Sequence, residues 1–87
     1  METRLDTFNG WQMRVTVGSR PATRGVEYYI VKPVAYREFS TASGIQANPR
    51  GPYGPFGSSD AAFDAAFESC RFVISREIKL RGFGHLR

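Results

Sequence analysis

Eighty-seven residues, 41% hydrophobic and 14% aromatic, are enough for one small folded domain and exclude a disordered tail. The formal charge is +4, from twelve basic and eight acidic residues, a field that suits nucleic acid, an anionic membrane or an acidic protein without choosing among them. A single cysteine excludes an intramolecular disulfide, and no apolar run approaches the roughly 20 residues that a spanning helix needs.

Residues 1–9 are polar and mixed in charge, with no signal-peptide stretch. They read as a flexible leader, and a reducing, cytoplasmic setting is the expectation. Trp11, Met13, Val15 and Val17 then alternate with Gln12, Arg14, Thr16 and Gly18. A period of two predicts a half-buried strand. Residues 19–25 contain Pro21 and Gly25 and read as a hairpin loop. Residues 26–31 are β-branched and aromatic, which predicts a second strand. Pro33 cannot donate to a ladder and is expected to end its pairing. Val34, Ala35, Tyr36 and Phe39 suggest a third strand, residues 40–44 a turn, and residues 44–47 an optional short edge strand. Residues 48–57 hold three prolines and three glycines and predict a loop.

The spacing then predicts one long helix over residues 58–83. Ser58 is the expected N-cap, with Asp60 in the first turn, where a carboxylate complements the helix dipole. Asp60, Asp64, Glu68, Arg71, Ser75 and Lys79 mark the polar face, and Phe63, Ala66, Phe67, Cys70, Val73, Ile74 and Ile78 mark the apolar one. Gly82 suits a left-handed stop, with Phe83 packing back on Ile78. A strand over residues 72–80 competes, because Phe72, Ile74, Ile78 and Leu80 alternate, but Arg76 interrupts them and no Gly or Pro marks a turn. The expected organisation is a single α+β domain over residues 10–83, with a flexible tail over residues 84–87. Its sheet has three antiparallel strands, with a fourth as an option, packed on one long C-terminal helix.

Catalytic chemistry has little to stand on. Cys70 lies within the apolar stripe, where a cysteine behaves as a small hydrophobe, and His85 is the only histidine. No third group is evident to orient a base between them. One Cys and one His cannot make a zinc site without distant carboxylates, and Asp60, Asp64 and Glu68 read as a solvated helix face. The loop before Ser58, with Arg50 nearby, is a candidate phosphate cradle, but it lacks the Gly-Lys-Ser/Thr of a P-loop and brings Asp60 to the helix start. No enzyme activity, cofactor, metal or small-molecule substrate is expected, and no membrane partner.

Two binding surfaces remain. With the apolar alternation facing the helix, the opposite sheet face displays Arg14 between Gln12 and Thr16, joined by either Tyr28 or Tyr29 depending on register. Arg20 and Arg24 lie in the hairpin loop, with Lys32 and Arg37 further on. Arginines with interleaved aromatics suit phosphates and unpaired bases of DNA or RNA. Arg71, Arg76 and Lys79 on the helix would add phosphate contacts. The alternative is a protein partner, or a second copy of this chain, on an overhanging helix end carrying Phe72, Leu80 and Phe83.

Gly54-Pro55-Phe56-Gly57-Ser58, followed by Ala61-Ala62 and Ala65-Ala66, resembles the helix entry of short uncharacterised bacterial and phage β-β-β-α proteins of unknown function, over about half of the chain. The layout is also similar to the three-stranded sheet plus helix of integrase arm-type DNA-binding domains. Neither resemblance implies any particular site residue.

Overall fold

The computed structural model describes residues 1–37, 44–47 and 53–85, with side chains described as far as Leu80. It contains strands β1 (Glu2–Phe8), β2 (Trp11–Ala22), β3 (Gly25–Arg37) and β4 (Ile45–Gln46), followed by helix α1 (Ser59–His85). The strands form one antiparallel sheet in the order β1-β2-β3-β4, and α1 packs on one face of it. The α+β class and the antiparallel sheet with one C-terminal helix are as the sequence predicts. Residues 40–43 of the expected turn, Phe39, Arg50 and the side chain of Phe83 lie outside the described residues.

The opening segment departs from its expectation. Residues 2–8 form a full edge strand rather than a leader, paired from Glu2↔Val17 to Phe8↔Trp11. The cause is the Asn9-Gly10 pair, whose φ values of 51° and 80° make a two-residue turn matched to the twist of a hairpin. Polar composition is no obstacle, because an edge strand needs only one partly buried face.

The β2–β3 hairpin is longer than expected. Pairing continues to Ala22↔Gly25, leaving only Thr23 and Arg24 as turn residues, so most of the predicted loop is ladder. Nor does Pro33 end the strand. It lies opposite Val15, past a bulge at Thr16/Val17 that leaves Val31 unpaired. Its carbonyl accepts the Ala47 N–H at 2.9 Å, so its main-chain groups point toward β4 and the missing N–H removes no bond to β2. The predicted third strand, residues 34–37 at least, is therefore the second half of β3. The optional edge strand exists as β4, pairing Ile45 with Ala35 and Gln46 with Val34.

Part of the Gly/Pro loop also binds the β3 edge. Ile30 N–H donates to Tyr53 O at 2.7 Å, and Tyr28 and Phe56 exchange bonds of 3.1 and 2.8 Å. Gly54 permits this approach, since its φ is 153° and a Cβ there would lie 2.8 Å from Tyr28 O.

Helix α1 starts where the sequence places it. Ser58 Oγ accepts the Ala61 N–H at 3.1 Å, and Ser58 O accepts the Ala62 N–H. It does not stop at Gly82 but continues to His85, so residues 84 and 85 are helix rather than tail. Glycine permits a left-handed stop without forcing one.

Trp11, Met13, Val15, Val17, Ile30 and Ala35 from the sheet meet Ala62, Phe63, Ala66, Cys70 and Ile74 from the helix, with Ala47 closing the core. Ser59 lies beside Val17, Ser19 and Tyr28, and Asp60 reaches Arg4, so the helix starts at the Val17 end of β2 and runs toward Trp11. From Asp60 to Ile74 it rises about 21 Å, close to the roughly 20 Å of strand from Val17 to Trp11. Each layer then overhangs the other. Helix residues beyond Ile74 pass one end of the sheet, and the exposed β2–β3 arm from Ser19 to Val26 passes the helix start at the other, giving a molecule 57 × 23 × 16 Å.

Candidate functional site

The alternation of β2 determines what the open sheet face carries. Because Trp11, Met13, Val15 and Val17 turn into the core, Gln12, Arg14 and Thr16 turn outward, as predicted. Register adds their neighbours. Thr7, Leu5 and Thr3 lie beside them on β1, and Tyr36, Val34 and Lys32 on β3. Thr3 and Thr16 join hydroxyls at 2.9 Å. Arg14 sits in the middle of this face between Leu5 and Val34, with Lys32 one diagonal step away, and both cations are exposed.

Past the bulge, Gly18 faces Tyr29 and Arg20 faces Glu27. Tyr29, not Tyr28, is therefore the outward tyrosine, and its ring covers Gly18 so closely that a Cβ there would lie 2.6 Å from it. The Arg20 guanidinium lies 5.7 Å from the centre of that ring and donates to Glu27 at 2.5 Å. Arg20 is thus a compensated charge. Among the described residues Glu27 is the only carboxylate on this face, because Glu2 and Asp6 fall on the helix side of β1. Arg14, Arg24 and Lys32 have no carboxylate partner among the described residues.

The basic residues do not form one patch. Arg14 and Lys32 share the sheet face. Arg24 lies at the arm tip, ten residues along the hairpin from Arg14, about 33 Å at strand rise. Arg71, Arg76 and Lys79 stand on the other layer, toward the opposite end of the molecule. There Phe72 is 45% exposed and Leu80 60%, with Ile78 also exposed, so apolar surface does lie on the overhanging end. At about 100° per residue Phe72, Arg76 and Leu80 follow one flank of the helix and Ile78 the other.

Arg4 was not legible as a structural residue. It projects toward the helix, with its guanidinium 4.1 Å from the centre of the Phe63 ring, and donates to Glu2 at 2.9 Å and Asp60 at 3.1 Å. The hydrogen bond it donates to Glu2, opposed by desolvation and aided by Asp60, raises its pKa further. The signal that could have placed it is Asn9-Gly10, which fixes the β1 register.

A cleft of about 180 Å³ opens between Met1, Glu2, Val17, Ser19, Tyr28 and Ser59. Its one carboxylate, on Glu2, is bonded to Arg4, and its lining concentrates no charge. Cys70 is fully buried, and burial pushes its thiol up to about 11, offset in part by Arg71, so it is a protonated core residue at neutral pH. Among the described residues no three His, Cys, Asp or Glu converge as metal ligands, and no helix is long and apolar enough to cross a membrane. No protein-family model matches the chain, and neither a curated protein nor a solved structure is significantly similar to it.

Proposed function

We propose that this protein binds nucleic acid, without catalysis, through the open face of its sheet. The observation that carries this reading is the exposed Arg14–Lys32 pair, unpaired among the described residues, set among Thr16, Gln12 and Tyr36. Guanidinium and ammonium groups contact phosphates, while hydroxyls, an amide and a tyrosine ring offer hydrogen bonds and stacking. Arg24 at the arm tip extends the same track. Arg20, paired with Glu27, contributes by flanking the outward Tyr29 ring rather than as a free charge. Arg71, Arg76 and Lys79 lie on the other layer and are assigned only long-range attraction, or contact with a second segment.

Fluorescence anisotropy of labelled single- and double-stranded DNA and RNA tests this. The expected result is binding that weakens steeply with salt. Arg14→Ala with Lys32→Ala should lower the slope of log affinity against log salt by about two, if each cation neutralises one phosphate. Arg71→Ala with Arg76→Ala should change it less. No binding at low salt would remove the reading. The second reading, a protein contact on the overhanging helix end, is favoured by the exposure of Phe72, Ile78 and Leu80.

A further inference from the structure

The two edges of the sheet are treated differently by the chain. Along β3, backbone groups are taken up by Tyr53, Phe56, Ala47 and β4. Along β1, no described residue pairs with the outer edge, and α1 lies over β2 and β3, barely reaching β1. A seven-residue strand with an open edge is a template for another strand.

The Asn9-Gly10 turn determines which groups that edge presents. In a two-residue hairpin the flanking residues, Phe8 and Trp11, exchange hydrogen bonds, and bonded pairs then alternate. Asp6, Arg4 and Glu2 therefore bond to β2, while Thr7, Leu5 and Thr3 turn their N–H and C=O outward. The Thr7 N–H bears this out, since it donates to the neighbouring Asp6 carboxylate at 2.8 Å. Leu5, in the middle of the strand, is 66% exposed.

We propose that β1 pairs antiparallel with β1 of a second copy about a two-fold axis at Leu5. This register sets Leu5 against Leu5 and Thr3 against Thr7, so every outward N–H and C=O of these residues meets a partner. It also sets Arg4 beside Asp6 of the other copy, on both sides of the axis, while Thr7 exchanges its local bond for a ladder bond. Neighbouring registers are penalised. A two-fold at Arg4 sets Arg4 against Arg4 and Glu2 against Asp6, and one at Asp6 sets Asp6 against Asp6, like charges directly opposite in each case. Charge complementarity along the strand thus selects this chain as its own partner.

The product is one continuous sheet with both helices on one face. With the helices over β2 and β3, their axes stand about 19 Å apart, wider than the 10–12 Å diameter of a helix, so they do not collide. On the other face the row Val34, Arg14, Leu5 continues into Leu5, Arg14 and Val34 of the second copy, the two arginines about 14 Å apart across three strand spacings. The dimer does not rest on the nucleic-acid reading, although it would double that face.

Sedimentation equilibrium of the full chain, with and without Leu5→Lys, tests the proposal. A concentration-dependent dimer is expected, lost in Leu5→Lys and weakened in Asp6→Lys, with the circular dichroism of both variants unchanged because neither side chain is in the core. Leu80→Ser should leave the dimer intact. Register is read by cross-linking. Under mild oxidation Leu5→Cys should give a covalent dimer, because the paired α-carbons lie about 5.5 Å apart. Thr3→Cys should not, its copies being about 14 Å apart. A monomer at every concentration, a dimer that survives Leu5→Lys or dissolves in Leu80→Ser, or equal cross-linking of the two cysteine variants would each overturn the proposal.

Discussion

Cys70 has a fully buried thiol whose ionisation burial defers to about 11, against 9.0 for a free thiol. Between those values the folded chain holds a proton that the unfolded chain has released. Stability must therefore fall as pH rises through the window, by about 2–3 kcal/mol in total, with no contribution below pH 9. Urea melts of the wild type and Cys70→Ala should converge as pH is raised from 8 to 11, and parallel curves would show the thiol is not the cause. At the same scale, the sequence made the outward position of Arg14 legible through the period of two, and the N-cap role of Ser58 through its place before Asp60. It could not reveal that Arg20 is bound by Glu27. That pairing depends on cross-strand register, which the bulge at Thr16/Val17 shifts by one residue.

Elements were legible where local chemistry and tertiary packing agree. Helix α1 joins a capping serine to an apolar face of the right period, and β2 carries an uninterrupted alternation. Boundaries were not legible where a residue permits two outcomes. Gly82 allows a stop but is passed by the helix, and Pro33 would break a bonded position but occupies one facing β4. The first strand was missed because its polar residues suggest solvent, whereas Asn9-Gly10 folds them onto β2. That turn is correspondingly sensitive. Gly10→Val should cost about 1 kcal/mol or more, because a β-branched residue is strained at a φ of 80°. Amide exchange should then accelerate selectively in Glu2–Phe8, while α1 keeps its protection. Uniform loss of protection would mean that β1 folds as one unit with the rest.

For the whole molecule, the offset between layers separates chemistry that the sequence lists together. Arg14 and Lys32 stay on the sheet face, Arg24 is carried to the tip of the arm, and Arg71, Arg76 and Lys79 follow the helix past the other end. A sequence reading that pools these cations overstates any one site, because it has no measure of the 57 Å over which they spread. The overhang itself was foreseeable, since a helix of this length outreaches the strands that cover it. What the molecule retains as a surface is an open sheet face whose one described carboxylate, Glu27, is bonded to Arg20, next to an edge that no described residue covers; the proposals of nucleic-acid binding and of self-pairing rest on these two features respectively. The most direct measurement is the amide chemical-shift map of the labelled protein titrated with a short single-stranded oligonucleotide at low salt. Nucleic-acid binding through the sheet predicts shifts concentrated at Gln12, Arg14, Thr16, Lys32 and Tyr36, reversed by added salt. Shifts confined to the helix around Arg71 and Leu80, or none, would contradict it.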